Sequence, residues 1–223
     1  MDITIDTGTK AGPVSGLYDR PDNARALLVL AHGAGAGMRH PFMEMIATGL
    51  GRRQVATLRY QFPYMEAGRN GPDWPTTLEA TVRAAVARGH ELAPDLALFA
   101  GGKSLGGRMT SGAEAREHLA DVRGIVFLGF PLHPPKKPSI ARADHLASVS
   151  VPMLFIQGTR DDLADLELVR QVLMPLAGTA TLEVVEGGDH SFKVLKRSGR
   201  HPEEVYGQIL DTLAEFMERH SRG

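Results

Sequence analysis

The chain has 223 residues, 43% of them hydrophobic, and its 25 basic and 26 acidic side chains leave a net charge of -1. This length and apolar content suffice for one sizeable core, so residues 1–223 are expected to form a single domain. With no basic tract the chain lacks an electrostatic footprint for nucleic acid; with no cysteine it has no disulfide scaffold, thiolate metal site or thiol nucleophile; and no apolar run reaches the roughly 18 residues of a membrane span.

The opening Met1-Asp2-Ile3-Thr4-Ile5-Asp6 has neither the basic nor the apolar region of a secretory signal, so a cytoplasmic protein is expected. Residues 2–8 and 14–19 read as two short antiparallel strands joined through Gly12-Pro13. The run Ala26-Leu27-Leu28-Val29-Leu30-Ala31 is apolar throughout, as in a strand buried on both faces. A glycine-rich loop follows, then helical spacing over 41–52 (Phe42, Met45, Ile46, Leu50). Further strands are expected at 54–59, 95–100, 123–130, 152–157 and 180–185, separated by helices at 75–89, 105–119, 139–147, 164–177 and 202–219. The last helix carries a one-sided stripe of Val205, Ile209, Leu210, Leu213 and Phe216. Such alternation predicts an α/β fold, a mostly parallel twisted sheet with helices on both faces. In such sheets active residues gather beyond the carboxyl ends of the strands, so what each strand ends with is the informative feature.

The strand at 95–100 runs into Gly101-Gly102-Lys103-Ser104-Leu105-Gly106-Gly107. Gly-x-Ser-x-Gly between a strand and a helix is the pattern of a nucleophile elbow, which pushes a serine hydroxyl out above the sheet. A β-carbon at Gly102 or Gly106 would press on a neighbouring strand or on the returning helix. Gly-Lys-Ser also ends a phosphate-binding loop, but that motif needs glycine where this chain has Ala97.

The strand at 26–31 ends in His32-Gly33-Ala34-Gly35-Ala36-Gly37. Small residues there leave backbone amides open, as an oxyanion hole requires, with a second amide expected from Leu105. A dinucleotide fingerprint would need glycine where Met38 or His40 stands, and the next strand ends in Arg59 rather than an acid. Beyond 152–157 comes Gln157-Gly158-Thr159-Arg160-Asp161-Asp162, in which Asp161 can orient a histidine while its neighbours cap the following helix. Beyond 180–185 comes Gly187-Gly188-Asp189-His190-Ser191, which places His190 on a loop where it can take the Ser104 proton and return it to a leaving group. The chain order Ser104, Asp161, His190 is that of the α/β-hydrolase triad and of no other triad fold.

On these residues the chain resembles the α/β-hydrolase superfamily over nearly its full length. It is most similar to the dienelactone-hydrolase-like branch, and there to a group of small hydrolases that includes subunits of protein complexes. The carrying segments are His32 to Gly35 with Met38 to Met43, Arg59 to Tyr64 with Ala67 to Arg69, Gly101 to Met109, Phe130 to Pro135, Gly158 to Asp161 and Gly188 to Phe192. The resemblance implies Ser104 as nucleophile, Asp161 as acid and His190 as base, with the Ala34 and Leu105 amides as oxyanion donors. Dienelactone hydrolases themselves use a cysteine nucleophile, and this chain has Ser104 and no cysteine.

The usual place for a lid, Pro131 to Ser150, holds room for only one short helix, so no large cap domain and an open, shallow pocket are expected. Its expected walls are Met38, Phe62 and Tyr64 in one loop and His133 in another, with Trp74 nearby. The expected activity is a carboxylesterase-like hydrolysis of a small-molecule ester or thioester through an acyl-enzyme, with no cofactor, no metal, no nucleic acid and no membrane partner. The alternative is a non-catalytic binding protein or complex subunit that keeps the fold. A peptidase or amidase would need a substrate-gating domain that the chain lacks.

Overall fold

The computed structural model describes residues 1–221. Its strands are β1 (Asp2–Ile5), β2 (Val14–Asp19), β3 (Ala26–Ala31), β4 (Val55–Tyr60), β5 (Ala97–Lys103), β6 (Val122–Leu128), β7 (Met153–Gly158) and β8 (Ala180–Val185). They form one 8-stranded sheet in the order β1-β2-β4-β3-β5-β6-β7-β8. The first pairings, β1 with β2 and β2 with β4, are antiparallel; all those from β4 to β8 are parallel.

Every residue of β3 is buried because the strand is central and covered on both sides. Leu27 and Val29 join the core layer that includes Leu78, Val82 and Met109, whereas Leu28 and Leu30 join the opposite layer with Ile46, Leu50, Ile209 and Leu213. Those residues belong to α3 (Pro75–Leu92) and α4 (Leu105–Arg116) on one face and to α1 (Pro41–Gly51) and α6 (Pro202–Ser221) on the other. The helical stripe on α6 is thus buried as its spacing predicts. Among the described residues, no helix is long and apolar enough to cross a membrane.

Several elements differ from expectation for local reasons. β1 ends at Ile5, since the Thr7 hydroxyl bonds Thr9 and the Gly12 carbonyl and turns the chain. β5 continues through Gly101, Gly102 and Lys103, which pair with Val126, Phe127 and Leu128 of β6; the turn at the elbow is Ser104 alone. A short helix, α2 (Pro63–Glu66), starts on Pro63, whose missing N–H costs nothing at a first helical position. The helix expected at 139–147 is a 3-10 segment, Ala141–Ser148. The one expected at 164–177 is α5 (Leu166–Leu173), capped by Asp165 and followed by a 3-10 turn at Pro175.

Candidate active site

The elbow exists because three backbones are packed without side chains between them. A β-carbon on Gly102 would lie 2.4 Å from the Ala31 carbonyl oxygen, and one on Gly106 2.6 Å from the same atom. Glycine at both positions lets β5 and the first turn of α4 lie directly on β3. Between them Ser104 takes φ 51° and ψ -115°, while its N–H donates to the Leu128 carbonyl at 3.1 Å. A non-glycine residue held there stores about 1–3 kcal/mol of strain. The result is a half-buried hydroxyl at the carboxyl end of the sheet.

His190 is delivered by a tight turn. The Asp189 carboxylate accepts the Ser191 and Lys193 N–H groups at 2.8 and 2.9 Å, and Phe192 closes the turn at φ 62°. Gly158 brings that turn against the loop after β7, for a β-carbon there would lie 2.2 Å from the Gly188 carbonyl oxygen. In consequence His190 Nε2 lies 2.9 Å from Ser104 Oγ, and His190 Nδ1 lies 2.7 Å from Asp161 Oδ2. A carboxylate only accepts, so Nδ1 carries the proton and Nε2 is left as the acceptor for the serine hydroxyl.

Asp161 is held as firmly as it holds. Its Oδ1 accepts the Leu163 N–H at 2.8 Å, and its Oδ2 also accepts the Gln157 amide at 2.5 Å. Gln157 is fully buried and its own oxygen accepts the Phe130 N–H at 3.0 Å. The neighbouring Asp165 caps α5 through the Glu167 and Leu168 N–H groups, so the two roles fall on two different aspartates.

Leu105 follows the serine directly, and Ala34 follows Gly33, the loop residue that lies against it. Gly33 sits so that a β-carbon on it would be 3.6 Å from Ser104 Cβ, which brings the loop to Ser104. The Ala34 residue is exposed and Leu105 half-buried. Leu105 opens α4, where an N–H has no partner within the helix. The loop is fixed from beneath by His32, which is fully buried. Its Nε2 accepts the Phe62 N–H at 3.0 Å, so Nδ1–H donates to the Gly33 carbonyl at 2.8 Å. Burial pushes this imidazole down to about 4, against the opposing effect of the Gly33 bond, so it is neutral at physiological pH.

The residues expected to wall the pocket are placed otherwise. Phe62 and Tyr64 are fully buried; Phe62 packs edge-on against His32 at 4.9 Å and stacks on Tyr64 at 6.5 Å between centroids. Both rings pack around His32, and Tyr64 meets the Gly35 main chain, so they support the loop from the buried side. His133 is buried too: its Nδ1–H donates to the Pro134 carbonyl at 2.9 Å and its Nε2 accepts the Asp165 N–H at 2.8 Å, tying the loop after β6 to the start of α5. Met38 is 5% exposed and borders a cleft of about 330 Å³ with Gln61, Met65 and Glu66 that no triad residue lines. Trp74 is 82% exposed at the start of α3. His32 and Gln157 received no role from sequence, although both stand at strand ends; only their burial and partners reveal them.

Residues 24–218 match the family model of an alpha/beta hydrolase domain. Two Mycobacterium tuberculosis proteins named as phosphoribosyl transferases are 30% identical to the chain over 190 residues; the match covers 81% of this chain but only 40% of theirs. Among solved structures, a dienelactone hydrolase from Anabaena variabilis aligns over 99% of this chain and 97% of its own, with TM-score 0.76 and 18% identity. An esterase domain from Rhodothermus marinus aligns over 99% and 98% with TM-score 0.73 and 14% identity. A serine hydrolase without a lid from Xanthomonas campestris aligns over 100% and 93% with TM-score 0.69 and 19% identity. At these identities the likeness to the solved structures is one of fold.

Proposed function

Because this chain belongs to the alpha/beta hydrolase family, we propose that it is a serine hydrolase of small carboxylic esters or thioesters, carboxylesterase-like in its chemistry. The observation that carries the reading is the continuous relay from Ser104 Oγ through His190 (2.9 Å at Nε2, 2.7 Å at Nδ1) to Asp161. Ser104 Oγ attacks the substrate carbonyl carbon as its proton passes to His190 Nε2. Asp161 stabilises the imidazolium without taking the proton. The oxyanion that forms is met by the Ala34 and Leu105 N–H groups, where loss of one such donor costs about 2.7–4 kcal/mol. Collapse expels the alkoxide or thiolate, which takes the proton from Nε2. Water then attacks the acyl-enzyme with His190 again as base, and the acid leaves with Ser104 restored.

The exposure of the site favours a substrate approached directly from solvent. Ser104, Leu105 and His190 are half-buried and Ala34 is exposed, and the segment after β6 contributes only the 3-10 turn Ala141–Ser148. A panel of p-nitrophenyl esters and thioesters tests the reading, with S104A as blank and a fluorophosphonate as label. Turnover by the wild type, its loss in S104A and labelling at Ser104 are expected. Equal turnover in S104A would overturn Ser104 as the nucleophile, and a protein inert to the whole panel and to the label would favour the non-catalytic binding role.

A further inference from the structure

Lys103 closes β5 and immediately precedes Ser104. Strand alternation sends its side chain to the face opposite Gly102, on the side of α1 and α6. There Nζ donates to the His190 carbonyl oxygen at 2.6 Å, lies 5.7 Å from the centre of the Phe192 ring, and would stand 3.1 Å from a β-carbon on Gly129. The ammonium thus packs closely against Gly129. The residue is 9% exposed. Asp161 and Asp189 act on the ammonium through space, and neither forms an ion pair with it. A buried ammonium with a single acceptor is costly, and a methionine would fill the same space without that cost.

We infer that Lys103 is a positioning residue for the hydrolytic site, a tether that holds the His190 main chain in register with the nucleophile carried by the next residue. His190 is then gripped at three atoms: its carbonyl oxygen by Lys103, Nδ1 by Asp161 and Nε2 by Ser104. Because residues 103 and 104 are consecutive, the strand end that presents the nucleophile also fixes the height of the base above it. The inference rests on the hydrolase reading of that site.

The tether carries a charge that can be removed within the working pH range. Burial pushes the Lys103 ammonium down to about 8, against the attraction of Asp161 and Asp189. The groups that face it are Asp161 from the loop after β7 and Asp189 and His190 from the loop after β8, with Tyr206 of α6 beyond Asp189. The residues just after β3 and β6 that lie against it, Gly33 and Gly129, carry no charge. Above its midpoint the donor is a neutral amine, which makes a weaker and longer bond than an ammonium.

The test is the pH profile of p-nitrophenyl acetate hydrolysis, neutral to alkaline, for wild type, K103M and aminoethylated K103C. The chain has no native cysteine, so bromoethylamine converts that one side chain alone into a lysine analogue. The wild type should lose kcat along an alkaline limb near pH 8. K103M should keep its Tm, lose roughly 10- to 100-fold in kcat with little change in KM, and show no such limb. The aminoethylated protein should recover kcat, and its more acidic ammonium should move the limb to lower pH. Wild-type kcat and limb in K103M, a loss of kcat only in step with Tm, or no recovery on aminoethylation would overturn the tether while leaving the hydrolase intact. A wild type inert to every ester and to fluorophosphonate would overturn both.

Discussion

Gly106 lies against Ala31 so closely that a β-carbon would stand 2.6 Å from the Ala31 carbonyl oxygen. The obstacle is backbone in the central strand and cannot rotate away. G106A should therefore displace the first turn of α4, destabilise the protein by about 2–3 kcal/mol, and lower kcat by moving Leu105 and Ser104 together. Denaturant unfolding with a parallel esterase assay checks both; a variant as stable as the wild type would mean that β3 yields.

Ser104 stores strain that a glycine would release. At φ 51° and ψ -115° any β-carbon is disfavoured, so S104A keeps the cost and S104G sheds it. Both should lack ester turnover, but S104G should unfold about 1 kcal/mol later than S104A despite the greater flexibility of glycine in the unfolded chain.

His32 makes stability depend on acid. Its ordinary value is 6.5 and burial lowers it to about 4 in the folded protein. Above 6.5 both states are neutral; between 6.5 and 4 only the unfolded chain takes up the proton, so stability falls as the pH drops. Integrated over that window the loss is on the order of 3 kcal/mol. Glutamine also offers an N–H donor and an acceptor but does not titrate, so H32Q should flatten the acid limb of unfolding stability. An unchanged limb would assign it to other groups.

Burial pushes the Tyr64 phenol up, against the opposing effect of the Gly35 backbone N–H that it meets. Y64F takes that acceptor away from the Gly35 N–H, so it should lower stability by about 1 kcal/mol. Since the ring supports the Gly33–Gly37 loop from the buried side, KM for small esters should stay at the wild-type value; a raised KM would return Tyr64 to the substrate pocket.

Legibility differed from residue to residue. Ser104, Asp161 and His190 could be nominated because each stands just beyond an apolar strand, and parallel topology sends strand ends to one edge of the sheet. Phe62, Tyr64 and His133 could not be placed, because a polar-tipped or aromatic side chain in a loop reads the same whether it faces solvent or the core. His133 and His32 each bond two backbone groups remote from one another in sequence, Pro134 with Asp165 and Gly33 with Phe62. No local pattern announces such pairs.

The amino-acid sequence by itself determined the alternation of strands and helices, the glycines of the elbow and the order of the candidate triad, since hydrophobic period and steric allowance are local properties. Only the tertiary structure decided that His32 and His133 bridge backbone segments and that His190 reaches Ser104. It also decided where Lys103 points. Those outcomes depend on distances between segments separated by tens of residues, such as the 2.6 Å from Lys103 Nζ to the His190 carbonyl and the 2.9 Å from Ser104 to the same residue's ring.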